Sequence, residues 1–484
     1  MSRARLARLR AACGRACVRH AAAAALAPAA LALLAAGGCC DDEGVVTLRF
    51  WAMGREGEVV QELVRDFEAQ HPGIRVEVQQ IPWTAAHEKL LTAHVGRATP
   101  DVAQLGNTWV PEFTELGALR VLDERVAASA IVDPADHFAG IWETNVLDGR
   151  LYGVPWYVDT RVLFYRADLL AAVGHREPPR SWEEWRRALA AYAATGPDRY
   201  GILLPVNEWT QPVILGLQAG SPLLCAHDTE PAFSGPDFRQ AFAYYVGLFR
   251  DGLAPPVSNN EVANLYQEFG RGTFAMYVTG PWNVGEFRRR LPEELQGAWA
   301  TAPLPGPDAT RYPGVSLAGG ASLVIFRGCE HPDAAWRLVE FLALPEQQTR
   351  FFHLTGDLPA HRAAWRDSAL AADPRVQAFY EQLQNVTATP KIPEWEQIAT
   401  LVWQHAEAAI RGAVSEEAAL AALDADVARV LAKRRWMMER RADAAGTARS
   451  TGVAAGEGTA YAAADAAVPG AAHVTAHAPA RRGP

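Results

Sequence analysis

The sequence predicts an α/β fold, because strand-like and helix-like segments alternate from the first periodic stretch onward. VVTLRFW, at residues 45–51, alternates apolar and polar side chains as a half-buried strand does. The next segment places Val59, Leu63 and Phe67 at helical spacing, and HPG ends it. IRVEVQQI, at residues 74–81, alternates again as a second strand. This strand–helix–strand order predicts a parallel sheet with helices on both faces.

Later segments continue the alternation. GRLYGVPWYVDTRVLFYR, at residues 149–166, predicts two strands joined by a turn that cross from one region to another. A helix is predicted to start at Ser181, with Glu184 completing a capping box. ASLVIF predicts a buried strand, and HPDAAWRLVEFLALPEQQTRFF predicts one long helix. Residues 440–484 are rich in Ala and Gly with few core-forming side chains, which predicts a disordered tail.

Length and charge narrow the function classes. The 484 residues suffice for two or more domains. A net charge of -9 implies no general affinity for nucleic acid or for an anionic membrane surface. The 15 Trp residues favour the binding of a ligand with a flat apolar face, although many of them are expected in the core.

The N-terminus has the three parts of an export signal, which we place at residues 1–39. Six arginines between residues 3 and 19 precede an Ala/Leu stretch at residues 21–36, and Gly-Gly-Cys follows. The apolar stretch is too short and too rich in Ala to be a convincing membrane span. Small residues directly before Cys39 resemble a bacterial lipoprotein cleavage site with Cys39 as the lipidated residue. Cleavage nearby by ordinary signal peptidase is the alternative.

The remaining motifs predict no metal, no cofactor and no nucleotide site. Beyond the N-terminal region only Cys225 and Cys329 remain, and they are either a disulfide pair or two buried free thiols. No CxxC motif or Cys/His cluster exists, and AHEKLLTAH carries Leu91 where a zincin needs its second histidine. GVSLAG is not the serine-hydrolase motif GxSxG, and no Walker lysine is present.

An ordered set of sequence blocks resembles a known family. The sequence is similar to the extracellular sugar-binding proteins of ATP-binding-cassette importers, in the group of maltose- and trehalose-binding proteins. The similarity covers about residues 45 to 435. The blocks, in chain order, are FWAMGREGE, TPDVAQLGNTW, GVPWYVDTRVLFYRADLL, PPRSWEEW, FGRGTFAMYVTGPW, APLPG, GGASLVIF, HPDAAWRLVEFLALPEQQ and TGDLPAHRAAW.

The resemblance implies a two-lobed periplasmic-binding-protein fold of type II, with a cleft between lobes joined by crossing hinge strands. Each lobe is discontinuous in sequence. We expect one lobe at residues 45–157 and 314–355, and the other at residues 158–313 and 356–436. The lobes are expected to close on a ligand by a hinge motion, and a membrane permease would recognise the closed form.

Sugar binding needs polar groups for the hydroxyls and aromatic rings for the flat C–H faces. Gly280 and Pro281 fix a turn before Trp282, and the resemblance implies that this indole packs against the sugar. The alternative is a Trp that plugs the lobe boundary. VPWYVD supplies Trp156 together with Tyr157 and Asp159, and the last two match sugar-contacting positions of the family. Their alternative is ordinary packing of a hinge strand.

For further candidate residues, both a ligand-binding role and a structural role stay open. Glu56 would take sugar hydroxyls or cap the following helix. Gly106 stands where the family often has an acid, so the amide of Asn107 is expected to take over. The remaining candidates are Thr108, Trp209 as a second stacking ring or a core residue, Gly320 as a bare backbone donor or a turn residue, and Arg362 as a sugar contact or a solvated helix-start residue.

The resemblance predicts a non-catalytic, exported protein that captures a di- or oligosaccharide and delivers it to the membrane permease of an importer. It is expected to act as a monomer, in the periplasm or at the outer face of the cytoplasmic membrane, and to bind no nucleic acid. Three alternatives stay open at this point: a secreted carbohydrate-active enzyme, the ligand-binding subunit of a sensory system, and a binder of a non-sugar solute.

Overall fold

A computed structural model describes residues 44–262 and 264–440. The predicted export signal with Cys39 lies outside the described residues, as does the predicted tail beyond residue 440. The chain divides into two compact units, one ending at Val430 and one beginning at Leu431. In the second unit, residues 432–440 are helical. No helix among the described residues is long and apolar enough to cross a membrane.

The strands are numbered in chain order. They are β1 (Val46–Met53), β2 (Ile74–Ile81), β3 (Val102–Gly106), β4 (Val146–Leu147), β5 (Arg150–Leu151), β6 (Val154–Asp159), β7 (Val162–Arg166), β8 (Tyr200–Leu203), β9 (Leu224–Cys225), β10 (Glu230–Pro231), β11 (Phe274–Thr279), β12 (Trp299–Ala302), β13 (Ser316–Leu317), β14 (Gly319–Ile325), β15 (Leu358–Pro359) and β16 (Val386–Thr387).

The α-helices are numbered likewise. They are α1 (Gly54–Gln70), α2 (Trp83–Val95), α3 (Val110–Glu115), α4 (Asp123–Ala128), α5 (Ala139–Glu143), α6 (Ala167–Ala172), α7 (Trp182–Ala193), α8 (Thr210–Ala219), α9 (Pro236–Arg250), α10 (Leu265–Arg271), α11 (Trp282–Arg290), α12 (Pro332–Ala343), α13 (Pro345–Thr355), α14 (Ser368–Ala372), α15 (Pro374–Gln382), α16 (Trp395–Ile410) and α17 (Glu416–Val430). Short 3-10 helices lie at Asn107–Trp109, Pro134–Asp136, Glu293–Leu295, Ala309–Arg311 and Arg362–Arg366.

The larger sheet has six strands in the order β15-β6-β14-β3-β1-β2. The predicted strand–helix–strand opening is confirmed: β1 pairs with β2 in parallel, and α1 connects them. β3 also runs parallel to β1. The sheet as a whole is mixed rather than parallel, because β14 pairs antiparallel with both β3 and β6. β14 joins this sheet late in the chain, so the opening motif gave no information on its direction.

The smaller sheet has four strands in the order β12-β7-β11-β8. β7 pairs antiparallel with β11 and β12, and β8 runs parallel to β11. The chain crosses from the six-stranded to the four-stranded sheet between β6 and β7, through Thr160 and Arg161. The predicted pair of crossing strands is therefore confirmed. This crossing places the carboxyl end of β6 beside both sheets.

Separate hydrophobic clusters pack on the two sheets. One contains Phe50, Leu63 and Trp156 with the buried face of α12. Another contains Phe164, Phe287 and residues of α15. The predicted lobe ranges stay a prediction; the boundary at residues 157–158 falls within β6. The boundary at residue 356 precedes β15, which pairs with β6 in the six-stranded sheet.

The predicted long helix at residues 331–352 is wrong, because the structure has two helices there. α12 ends at Ala343 and α13 begins at Pro345. Leu344 between them is extended, with φ -56° and ψ 137°, as the residue before a proline prefers. Pro345 then takes the first position of the new helix, where its missing N–H is not needed.

Two local predictions have clear outcomes. The Ser181 side chain caps α7 by accepting a hydrogen bond from the backbone N–H of Glu184. The Glu184 carboxylate accepts from the backbone N–H of Arg180 rather than from Ser181, so the capping box is displaced by one residue. Cys225 is exposed and Cys329 is buried, and both are free thiols.

Candidate functional site

A cavity of about 1070 Å³ lies where strand ends of the two sheets meet. Glu56 and Asn107 follow β1 and β3, and Asp159 ends β6. Trp209 and Trp282 follow β8 and β11 of the four-stranded sheet. Ligands in open α/β sheets bind outside the carboxyl ends of strands, which is where this cavity lies. Eight of the ten predicted ligand-binding residues line it: Glu56, Asn107, Thr108, Tyr157, Asp159, Trp209, Trp282 and Gly320.

Trp282 explains the Gly-Pro turn that precedes it. The indole lies across the bare backbone of Gly280, so a Cβ at residue 280 would overlap the six-membered ring of the indole. The guanidinium of Arg161 lies over the same side chain, 4.8 Å from the ring centroid. Trp282 is the first residue of α11 and is 44% exposed, which is high for an aromatic side chain in a cavity wall. The turn therefore holds a large ring against one support and leaves much of its surface open.

Arg161 is a cavity residue that sequence reasoning missed. Its Nη1 donates to both carboxylate oxygens of Asp159, at 2.6 and 2.7 Å. Its backbone N–H donates to Ser316 Oγ at 3.2 Å, and Ser316 Oγ donates back to the Arg161 carbonyl at 2.9 Å. Burial raises the pKa of Asp159, and the Arg161 charge opposes that rise. The signal in the sequence was an arginine two residues after a candidate acid, at the turn between two predicted strands.

The Glu56 carboxylate lies among neutral hydrogen-bond donors. Its Oε1 accepts from Tyr157 Oη at 3.0 Å and from Trp83 Nε1 at 3.3 Å. Gln104 Nε2 donates to Tyr157 Oη at 3.0 Å, while Gln104 Oε1 accepts from the backbone N–H of Met53. Burial raises the pKa of Tyr157 well above its usual value, and the negative charge of Glu56 adds to that effect. Tyr157 therefore stays a phenol that can serve as a donor to the carboxylate.

Asp357 is a second cavity residue that the sequence reasoning missed. It follows Gly356, which ends α13 in the left-handed conformation, and it directly precedes β15. Its backbone N–H donates to Thr355 Oγ1 at 3.0 Å. Burial raises the pKa of Asp357 to about 8, with a further contribution from the charge of Glu56. The block TGDLPAHRAAW contains it, but nothing in a single sequence shows that this aspartate faces the same cavity as Glu56.

Aromatic side chains line the cavity on both sides. Trp83, which is 36% exposed, contacts Trp109 edge-on with ring centroids 5.6 Å apart. Trp209 contacts the buried Trp395 edge-on at the same separation, so the core holds Trp209 while it lines the cavity. Trp282 completes the set. Rings on several walls are the arrangement that a ligand with more than one flat face requires.

Asn107 and Gly320 shape the wall between these groups. The Asn107 side-chain oxygen accepts from Ser322 Oγ at 3.2 Å, whereas its Nδ2 is buried and has no hydrogen-bond partner among the described residues. Gly320 has φ +121°, and a Cβ there would overlap the Tyr157 carbonyl oxygen of the paired strand β6. Only glycine adopts this backbone readily and lets the two strands approach so closely.

Trp156 and Arg362 do not line the cavity. Trp156 is fully buried and packs against Phe351 with ring centroids 4.3 Å apart. Successive side chains of a strand point to opposite faces, so placing Tyr157 at the cavity places Trp156 in the core. Arg362 lines a separate depression of about 370 Å³, where its guanidinium lies 5.9 Å from the ring of Phe138. It begins a short 3-10 helix, in line with the helix-start alternative.

Within residues 44–262 and 264–440, no group of three His, Cys, Asp or Glu side chains is arranged to hold a metal ion. The cavity offers carboxylates, guanidinium groups, an amide, a phenol and aromatic rings. Carboxylates and amides form strong hydrogen bonds with hydroxyl groups, and rings cover C–H faces.

Comparison with known proteins gives a family match. A family profile described as "Bacterial extracellular solute-binding protein" matches residues 52–349, which is more than half of the chain. The structure is similar to that of the sugar-binding protein MalE from Xanthomonas citri. The two chains are 51% identical with a TM-score of 0.79, and the match covers 81% of this chain and 99% of the other.

Two curated relatives extend the comparison. A lipoprotein from the 5′ region of oleD in Streptomyces antibioticus is 31% identical over 342 residues, 68% of this chain and 73% of the relative. The diacetylchitobiose-binding protein DasA of Streptomyces coelicolor is 25% identical over 378 residues, 75% of this chain and 86% of the relative.

Proposed function

The chain belongs to the bacterial extracellular solute-binding proteins, and from that premise we propose that it captures a di- or oligosaccharide in the cavity described above. It serves as the substrate-binding component of an ATP-binding-cassette importer and delivers the sugar to the permease. Its family and its structural relatives are binding proteins rather than enzymes. The energy for transport then comes from separate ATPase subunits.

The observation that carries the proposal is that the exposed Trp282 indole lines the same cavity as the buried polar side chains of Glu56 and Asn107. The indole offers a flat apolar surface for the C–H face of a pyranose ring. The carboxylate of Glu56 and the amide of Asn107 line the same cavity and offer hydrogen bonds to hydroxyls at the rim of such a ring. Trp83 and Trp209 provide further ring surfaces, which is why more than one sugar unit is proposed.

Capture is proposed to close the cavity about the crossing turn at Thr160 and Arg161. This turn joins the two sheets, and the Asp159 and Arg161 side chains at its two ends line the cavity. A ligand that contacts residues of both sheets favours the closed state by its differential affinity. The permease would then recognise and bind the closed form.

We place the protein outside the cytoplasm, as its family implies, and propose that Cys39 carries a lipid anchor. The relative from Streptomyces antibioticus is a lipoprotein. A Cys39→Ser variant should leave the membrane fraction and appear in the soluble exported fraction. Retention of that variant in the membrane fraction would argue against the anchor. The protein is further proposed to act as a monomer. Light scattering of the mature chain measures its molar mass in solution and tests this proposal.

The function is tested by intrinsic Trp fluorescence while the mature protein is titrated with disaccharides, short oligosaccharides and polyols. We expect a saturable shift with a micromolar dissociation constant, about -8 kcal/mol, for at least one sugar. Trp282→Ala should abolish that shift. Trp436→Ala is the matched control, because Trp436 is exposed and does not line the cavity.

The other outcomes separate the alternatives. A folded protein that responds to no sugar would overturn the proposal in favour of a non-sugar solute. Hydrolysis of the bound oligosaccharide would indicate an enzyme. Binding without uptake, in cells that require the importer for growth on that sugar, would indicate a sensory subunit.

A further inference from the structure

Four carboxyl groups line the cavity, and among the residues that the structure describes two of them, Asp159 and Glu286, have cationic partners. Asp159 is paired with Arg161, at 2.6 Å. Glu56 and Asp357 form no ion pair within residues 44–262 and 264–440. The remaining arginines that line the cavity have acidic partners of their own: Arg55 with Glu58, Arg288 with Asp373, and Arg289 with Glu286.

The strand register places Asp357 beside a second acidic residue. β15 pairs antiparallel with β6, with Leu358 opposite Val158. One residue further along, this register sets Asp357 beside Asp159. Like charges at neighbouring positions of paired strands repel each other. The guanidinium of Arg161 already gives both Asp159 oxygens a hydrogen bond from its Nη1.

The other groups around Asp357 do not supply a positive charge either. The Glu56 carboxylate from α1 lies close enough to raise the pKa of Asp357, with burial the larger cause, to about 8. The Tyr157 hydroxyl of β6 donates its hydrogen bond to Glu56 Oε1. His353 of α13 lines the cavity, but its Nε2 lies 3.4 Å from Asp367. Thr355 contributes a hydroxyl that opposes the rise.

Two carboxyl groups that line one cavity, repel each other and lack a cationic partner hold one negative charge more readily than two. Glu56 already accepts hydrogen bonds from Tyr157 and Trp83. Asp357 accepts none from those side chains. The proton therefore belongs on Asp357.

Resting on the proposed function, we propose that the ligand meets Asp357 as a neutral carboxylic acid that donates a hydrogen bond to a ligand oxygen, while the Glu56 carboxylate accepts hydrogen bonds. This end of the cavity then presents one donor and one acceptor, a combination that suits a neutral sugar. An ionised Asp357 would repel lone pairs on the same oxygen. Asp357 is thus a specificity-determining residue, and sugar affinity should fall as the solution becomes alkaline.

The test measures the dissociation constant of the best sugar from about pH 6 to about pH 9.5, for wild type and for Asp357→Asn. An amide is nearly isosteric with a carboxylic acid and donates a hydrogen bond at every pH. Wild type should lose affinity by roughly tenfold or more across this range, since binding selects the protonated form. Asp357→Asn should bind within about threefold of wild type at the low end and stay constant. Asp198→Asn, an exposed residue outside the cavity, is the matched control and should follow wild type.

Several results would overturn the inference. One is a wild-type affinity that does not change with pH. Another is a loss of affinity in Asp357→Asn that is equally large at every pH, because the ionised carboxylate would then be the binding form. Neither of these two results would contradict the proposed sugar binding. A folded wild type that binds no carbohydrate at any pH would instead overturn the proposed function, and this inference with it.

Discussion

The guanidinium of Arg161 lies over the ring of Trp282, 4.8 Å from its centroid, while its Nη1 binds both carboxylate oxygens of Asp159. Arg161 sits in the crossing turn between the sheets, and Trp282 begins a helix that follows a strand of the smaller sheet. One arginine thus fixes a ring and an acid at the cavity wall. Because both partners line the cavity, the position of Arg161 should govern binding by both.

We expect Arg161→Met to weaken sugar affinity by roughly threefold to 30-fold, since a cation over an indole contributes about 0.5–2 kcal/mol. Loss of the cation also leaves the Asp159 charge without a partner. Isothermal titration calorimetry of the variant measures the effect. Arg290→Met is the matched control: Arg290 lies 4.9 Å from the ring of Tyr266 and does not line the cavity.

A double-mutant cycle separates positioning from a direct ligand contact. If Arg161 acts through Trp282, the substitution Arg161→Met should cost much less in a Trp282→Ala background than in wild type. Equal losses in both backgrounds would show that Arg161 acts independently of the indole.

Gly280 is predicted to be as important for sugar affinity as the Trp282 indole that lies across its backbone. In Gly280→Ala the new methyl group overlaps the ring of Trp282, so the side chain must leave its present place. We expect a loss of sugar affinity of roughly tenfold or more, with the fold retained. Gly297→Ala is the control, because nothing lies within 4 Å of a Cβ at that glycine. Unchanged affinity in Gly280→Ala would mean that the indole orientation is irrelevant to binding.

The local sequence was sufficient for the opening strands and for the turn before Trp282, since both depend on neighbouring residues. It was insufficient where distant segments meet. The direction of β14 and the approach of Asp357 to Glu56 are set by tertiary pairing between residues hundreds of positions apart. Pro345 was a local signal that the long helical pattern of residues 331–352 outweighed. Its effect on the preceding residue, Leu344, decided the structure.

Truncation of two tryptophans, one in the core and one at the cavity, should change the free energy of unfolding by very different amounts. Trp156→Ala removes a fully buried ring from the core of the larger sheet and should lower the free energy of unfolding by about 3–5 kcal/mol. Trp282→Ala should change it by about 0.5 kcal/mol or less, because the ring is 44% exposed. Chemical denaturation of the two variants gives both values. A large destabilisation by Trp282→Ala would favour the alternative in which this Trp plugs the lobe boundary.

Trp156 and Tyr157 are neighbours in β6, yet one lies in the core and the other lines the cavity. Alternation along β6 predicts that neighbours face opposite ways, but it does not say which face holds the ligand. That choice follows from the helices α12 and α13, whose apolar side chains cover the Trp156 face. For Arg362, a family position was matched but its segment begins a 3-10 helix that faces a different depression.

His137 should make the protein less stable in acid. Burial lowers the pKa of its imidazole to about 4, and the ring of His361 lies 5.7 Å away. Its Nδ1 is 2.9 Å from the Asp133 carbonyl oxygen, which makes Nδ1 the donor, and Nε2 is buried with no hydrogen-bond partner in the part of the chain that the structure describes. Between the folded pKa and the unfolded value of about 6.5, the unfolded chain binds more protons. The free energy of unfolding therefore falls as pH falls through this window, by up to about 3 kcal/mol.

Urea denaturation measures the free energy of unfolding at about pH 7 and about pH 4.5. The difference between the two values should be smaller for His137→Gln than for wild type. His331→Gln, at an exposed site, is the control and should match wild type. An acid loss of the same size in His137→Gln would assign the effect to other groups, such as His361, whose pKa burial also lowers.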